Sequence, residues 1–275
     1  MKLWKAHGLG NDYLVWEGDA NILKKGLVQA ICDRHCGMGG DGILEYLLTD
    51  GEDYSVRIWN PDGSIAEKSG NGLRIFAHWL HYKRGAPKSF GIDTGFCRVH
   101  ARILDANISI EMGKAIWEAK KIPCTDNIWD CAHHFDGKTI KLYAVGMGNP
   151  HCVSFFDAQQ DLDELDWRLW GSHLEVDARF PNRSNIQFAK IISRKEIELR
   201  IWERGAGETA ASGSSSCAVA AVAHRLGKID DEVRMKMPGG DLTISFREDG
   251  EIVLLGPVEE IGHCSLSSIF VKKWL

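Results

Sequence analysis

The sequence has no apolar run that would cross a membrane. Its longest such stretch, Cys217–Ala223, falls far short of the roughly 18 residues that a spanning helix needs. It also has no excess of positive charge. Lysine and arginine number 33 against 38 aspartates and glutamates, a formal net charge of −5, so nothing draws the chain toward nucleic-acid phosphates. No apolar signal segment follows Met1, and residues 1–7 run straight into patterned sequence, so the expected location is the cytoplasm. The eight cysteines, at 32, 36, 97, 124, 131, 152, 217 and 264, are scattered in a way that does not suggest a disulfide framework. Cys32 and Cys36 flank His35 on an apparent helix, but no further ligands stand at matched spacing, and no metal site is expected. Free cysteine more commonly acts as a small buried apolar residue.

What is present is an ordinary globular composition over 275 residues, 44% hydrophobic and 26% charged, a length that suits two domains. Those two halves resemble each other. Residues 57–60 read Arg-Ile-Trp-Asn and residues 200–203 read Arg-Ile-Trp-Glu, and each is followed at the same distance by Ser-Gly, at Ser69 and at Ser212. Gly8–Asn11 (Gly-Leu-Gly-Asn) and Gly146–Asn149 (Gly-Met-Gly-Asn) precede them in the same order. An apolar pattern of helical period follows each Ser-Gly: Leu73, Phe76, Trp79 and Leu80 in the first copy, Val219, Val222, Ala223 and Leu226 in the second. The chain reads as a duplicated unit.

Short β-branched or alternating runs predict strands, examples being 54–59, 108–112, 141–145, 151–155, 186–191, 197–202, 242–246 and 252–255. Helical patterns are fewer, over about 22–35, 72–84, 164–174 and 214–226. The fold class is α+β (mixed α/β), two similar lobes that each wrap few helices in many strands. The expected division is 1–116 and 117–261. Of the ten tryptophans, Trp4, Trp16, Trp59, Trp79 and Trp202 fall in strand or helix patterns and are expected in the core. Trp117, Trp129, Trp167, Trp170 and Trp274 are less constrained and are candidates for a contact surface.

In each copy a glycine-rich polar loop enters a helix. A helix start exposes unpaired N–H groups at the positive end of the helix dipole, which suits a carboxylate or phosphate, and glycine lets a ligand approach the backbone. Two such starts in a cleft between similar lobes would grip one small anion and set residues 69 and 212 against it. A serine before a helix also serves simply as its N-cap. The pattern alone fixes no reaction.

Six blocks resemble the diaminopimelate epimerase family: His7–Tyr13, Cys32–Gly42, Asn60–Glu67 with Gly70–Gly72, Gly148–His151, Phe180–Ile186 and Glu203–Thr209. The resemblance implies two pseudo-symmetric α/β lobes, each a curled sheet around a central helix, with the active site in the cleft and residues 262–275 returning to the first lobe. It implies inversion of an amino-acid α-carbon, LL- to meso-diaminopimelate or a close analogue, without cofactor or metal, in lysine and peptidoglycan biosynthesis. The ligand would be a small amino acid, with no nucleic-acid or membrane partner, and the assembly a homodimer. In the family two cysteines face each other across the α-carbon. Here Ser69 and Ser212 stand at those positions. By the same resemblance Asn60, Asn149, Asn185, Glu203 and Arg204 hold the distal end of the substrate, and Asn11, Gly70, Asn71, Gly213 and Ser214 line the reacting end. Gly42 occupies a position where some members carry glutamine.

A serine hydroxyl is a far weaker acid than a thiol and needs an adjacent base. Glu67, Glu208, His7 and His151 are the candidates, each lying in a matching block. Two alternatives stay open beside epimerisation: a related dehydratase or isomerase using a non-thiol base, and an amino-acid-binding paralogue of weak activity.

Overall fold

A computed structural model describes residues 1–18, 22–48, 53–156, 162 and 166–274. The chain divides into two compact units, Met1–Glu111 with Gly256–Leu275, and Met112–Leu255. The elements in chain order begin β1 Lys2–Gly8, β2 Asn11–Trp16, α1 Lys25–Cys32, β3 Ile43–Leu47, β4 Tyr54–Trp59, β5 Ile65–Ala66, α2 Gly70–Arg84, β6 Ser89–Asp93, β7 Arg98–Leu104 and β8 Asn107–Gly113. They continue β9 Cys131–Phe135, β10 Lys138–Gly146, β11 Pro150–Phe156, α3 Trp167–Glu175, β12 Asn185–Ser193, β13 Glu196–Glu203, β14 Gly207–Thr209, α4 Gly213–Arg225, β15 Glu232–Met237, β16 Gly240–Phe246 and β17 Ile252–Pro257. The chain closes with β18 Glu259–Ser265 and α5 Ser268–Trp274.

The sequence repeat is a repeat of strand pairing. In the first unit β18, β1 and β2 run antiparallel in turn, β2 is parallel to β3, and β3 is antiparallel to β4. Strand β4 then takes β5 antiparallel and β6 parallel, and β7 and β8 follow antiparallel. The second unit repeats this order with β9, β10, β11, β12, β13, β14 and β15, β16 and β17. The two Arg-Ile-Trp segments are the ends of the equivalent strands β4 and β13.

Helices α2 and α4 are the middle of their units. From Gly70 through Ala77, α2 is buried on every side, and α4 is buried from Ser215 through Ala223. A helix buried all round its surface is a core helix rather than an amphipathic surface one. Helix α2 ends at Gly85, which takes the left-handed φ of 71° that glycine adopts without a Cβ clash. The flanking helices α1 and α3 each bury one face. Val28, Ile31 and Leu27 of α1 join Leu3, Leu14, Trp16 and Ile43 in one core cluster, which Leu266 and Val271 complete. Trp167, Trp170 and Leu174 of α3 pack with Leu142, Cys152, Ile186 and Phe188 in another.

Several expectations change. Trp167 and Trp170 are 3% and 0% exposed and belong to a core, not a contact surface. Helix α1 stops at Cys32, because the Asp33 carboxylate accepts the backbone N–H groups of His35 and Cys36 at 2.8 and 2.6 Å and turns the chain. Cys36 therefore lies exposed beyond the helix. Helix α3 starts at the Asp166 cap, whose carboxylate accepts Leu169 N–H at 3.1 Å; residues 164 and 165 of its expected range lie outside the described residues. Strands β1, β2, β3, β5, β6, β7, β9, β14, β15 and β18 lie outside the runs singled out in the sequence.

Candidate active site

In the first unit the site grows from the start of α2. Ser69 is its N-cap, and the Ser69 Oγ accepts the Gly72 N–H at 3.0 Å. The Tyr13 hydroxyl donates to the same oxygen at 3.1 Å. A hydroxyl has two acceptor positions and one proton to give. Both acceptor positions of Ser69 are filled, so its own proton is what it has left to offer.

Asn71, 3% exposed, donates from Nδ2 to Asn11 Oδ1 at 3.0 Å, and Asn11 donates in turn to Asp41 Oδ2 at 2.8 Å. Arg34 bridges Asp41 and Asp12, 2.7 Å from each, and Lys5 lies 2.9 Å from Asp12. Burial alone would raise the Asp12 pKa, but hydrogen bonds from Arg34 and Lys5 outweigh it and hold the carboxyl at about 2. This ionic web fixes the Gly8–Asn11 turn against the helix start. Asn60 stands in its own turn, donating to Ser64 Oγ at 2.9 Å. Gly70 is buried at the first helical position, where its N–H lies among those without an intrahelical partner.

In the second unit Ser212 caps α4 in the same extended conformation, with φ −144° against −139° at Ser69, but makes no side-chain cap bond. Its hydroxyl instead donates to Glu203 Oε1 at 3.3 Å, and no donor among the described residues reaches its oxygen. The two serines are therefore wired in opposite senses. Gly213 is buried and Ser214 half-buried at the helix start. Ser215 is fully buried and accepts Gln187 Nε2 at 3.0 Å.

Gln187 also donates to His151 Nδ1 at 3.1 Å, which puts the imidazole proton on Nε2, 2.8 Å from Asn149 Oδ1. Burial pushes the His151 pKa down to about 3, and Arg204 adds to the effect. The imidazole is neutral and orients the Asn149 amide. Asn185 is used at both ends of its side chain, donating to Pro150 O at 2.9 Å and accepting the Arg204 N–H at 3.0 Å. It thereby sets the backbone of Arg204, whose guanidinium forms no ion pair among the described residues.

The other base candidates are placed less favourably. Glu208 is exposed and gripped by Arg168 at 2.6 and 2.8 Å. Glu67 is exposed. His7 accepts the Gly10 N–H at Nδ1, 3.3 Å away, and lies 3.7 Å from Glu259. Sequence reading gave no role to Tyr13, Asp41, Arg34 or Gln187. The first three lie inside the matched blocks, but nothing in their spacing showed which side chains would meet the serines.

The family model described as Diaminopimelate epimerase matches residues 3–118 and 143–261. The "Diaminopimelate epimerase 2" of Nostoc sp. (strain PCC 7120) is 41% identical over 98% of this chain and 96% of its own. The diaminopimelate epimerase of Pelotomaculum thermopropionicum is 34% identical over 95% of this chain and 97% of its own. Among solved structures, a hydroxyproline epimerase from Agrobacterium vitis aligns with a TM-score of 0.71 at 12% identity, covering 97% of this chain and 90% of that one. A phenazine biosynthesis protein of the PhzF family from Bacillus anthracis aligns at 0.69 and 15% identity, covering 97% and 99%. Those two likenesses establish the fold. The full-length relatives and the family match go further, and the chain belongs to the diaminopimelate epimerase family.

Proposed function

We propose that the chain epimerises the α-carbon of diaminopimelate without a cofactor, with Ser212 removing the α-proton and Ser69 returning one to the opposite face. The observation that carries this reading is the opposed wiring of the two hydroxyls. Ser212 already points its proton at the Glu203 carboxylate, so it takes the substrate proton as its own passes to Glu203. Ser69 holds its oxygen in two accepted bonds and is set to donate. Glu203 is then the base that a serine requires, and it also suits the substrate ammonium.

The α-carboxylate and the charge that develops on deprotonation fall to the helix-start N–H groups around Gly70, Asn71, Gly213 and Ser214. Arg204 takes the distal carboxylate, which its planar guanidinium binds through two bonds. Asn149, Asn60 and Asn11 orient the ligand, and Asn185 acts through the Arg204 backbone. No helix among the described residues is long and apolar enough to cross a membrane. A cytoplasmic homodimer is part of the same proposal, and fractionation and sedimentation of the native protein test it.

The experiment is proton NMR of the purified protein with LL- and meso-diaminopimelate in D2O. We expect the α-proton signal to disappear and the two isomers to interconvert, and both changes to be lost in Ser212→Ala. Absence of exchange with both isomers would overturn the reading. An olefinic product would replace epimerisation with elimination.

A further inference from the structure

We propose that Tyr13 is the proton source behind Ser69, a positioning residue that lets a serine do the work of a thiol on that face of the substrate. This rests on Ser69 being the proton donor, as argued above. The phenol lies 3.1 Å from Ser69 Oγ and donates to it. Its ring is 6% exposed and held in strand β2, where Tyr13 pairs with Ala6 of β1. The next turn brackets it: Asp41 N–H bonds Asp12 O at 2.7 Å and Leu14 N–H bonds Gly42 O at 3.1 Å.

Gly42 makes this placement possible. A Cβ there would stand 2.6 Å from Tyr13 Cε1, 3.1 Å from Cδ1 and 2.4 Å from the Trp59 carbonyl oxygen. The missing side chain at 42 is thus the space into which the tyrosine ring fits. The serine at 69 and the glycine at 42 both adjoin Tyr13, one at its hydroxyl and the other at its ring edge.

The chemistry favours the relay. A serine that protonates a carbanion alone is left as an alkoxide, a much stronger base than the thiolate a cysteine would leave. With Tyr13 behind it, the Ser69 O–H breaks as the Cα–H bond forms, and the Tyr13 O–H breaks as a new O–H forms on Ser69. The electron pair of the carbanion becomes the Cα–H bond and the negative charge ends on the phenolate, whose conjugate acid has an ordinary pKa near 10, within about two units of a thiol. Solvent water then reprotonates the phenolate. Epimerisation in the reverse sense retraces these transfers.

The test is a cycle of Tyr13→Phe and Ser69→Cys, read by α-proton exchange and isomer interconversion. In the Ser69 protein, Tyr13→Phe is expected to lower kcat by about 10²–10³-fold with little change in KM, the range of general acid catalysis. In the Ser69→Cys protein, where the thiol needs no relay, the same change is expected to cost less than about threefold. The Ser69 protein should also lose activity in an alkaline limb that Tyr13→Phe removes. Equal losses in both backgrounds would mean that Tyr13 only supports the fold, and no loss in either would mean that it carries no proton; both overturn the relay while leaving the epimerase reading standing. An unmodified protein that exchanges no α-proton overturns both.

Discussion

In the proposed reaction the chemistry turns on two hydroxyls that look alike in sequence and differ in their partners. Ser69 and Ser212 occupy equivalent caps, yet one accepts from a phenol and a backbone N–H while the other gives its proton to a carboxylate. Changing Glu203→Gln keeps the shape and removes the base. It should slow α-proton exchange by about 10²–10⁴-fold, with the melting temperature little changed; a loss under threefold would remove Glu203 from proton transfer. His151 makes a different kind of prediction. Its folded pKa of about 3 lies below the unfolded value of 6.5, so the unfolded chain binds the proton first. Its contribution is fully present above pH 6.5 and lost as pH falls toward 3, at up to about 1.4 kcal/mol per pH unit. Denaturant titrations of the unmodified protein and of His151→Gln should differ in that slope between pH 6 and 4 and run parallel above pH 7. Parallel curves throughout would place a charged imidazole in the folded state.

At the scale of elements, glycines decide how closely the pieces meet. Gly171 of α3 faces Trp202 of β13, and a Cβ would stand 2.7 Å from the Trp202 Cβ and Cγ. Gly171→Ala should therefore destabilise by about 1–3 kcal/mol through overpacking, read from denaturant unfolding, without changing which isomers interconvert. Gly42→Ala should do more, because it displaces the ring of Tyr13; activity should fall as in Tyr13→Phe. The strand–turn–helix segments were the legible part of this fold. Their Arg-Ile-Trp ends, the Ser-Gly caps and the helical spacing after Leu73 and Val219 all lie within short windows, where local pattern determines the element. Strand β2 was not legible, since burial of every residue from Asp12 to Trp16 removes the alternation that marks a strand. The tryptophans of α3 misled for a related reason. Their burial depends on β10, β11 and β12, which a window around residue 167 does not contain. Within the site, the residues lying in motifs could be named in advance, but the Tyr13–Ser69 and Glu203–Ser212 contacts join distant segments and appear only in the fold.

Over the whole molecule the duplication has one break. In the second unit β9, which directly precedes β10, pairs antiparallel with its Lys138–Leu142 half. In the first unit β18, more than 250 residues further along the chain, pairs antiparallel with β1 instead. The first unit is thus closed by the last residues, which also bring Leu266 and Val271 into its core and place Glu260 2.8 Å from the indole nitrogen of Trp4. Removing residues 258–275 would uncover the Lys2–Gly8 edge, an open row of backbone donors and acceptors that invites association. It would also strip two buried aliphatic side chains, each worth roughly 1.5–3 kcal/mol. Hydrogen exchange on the shortened chain should show lost protection in β1, β2 and α1 with protection retained in β10, β11 and β12, together with concentration-dependent aggregation. A uniform loss across both units would mean that they do not hold their structure separately. Unchanged protection in β1 would mean that its pairing with β2 alone suffices, and that the returning segment adds nothing to the stability of the unit that carries Ser69.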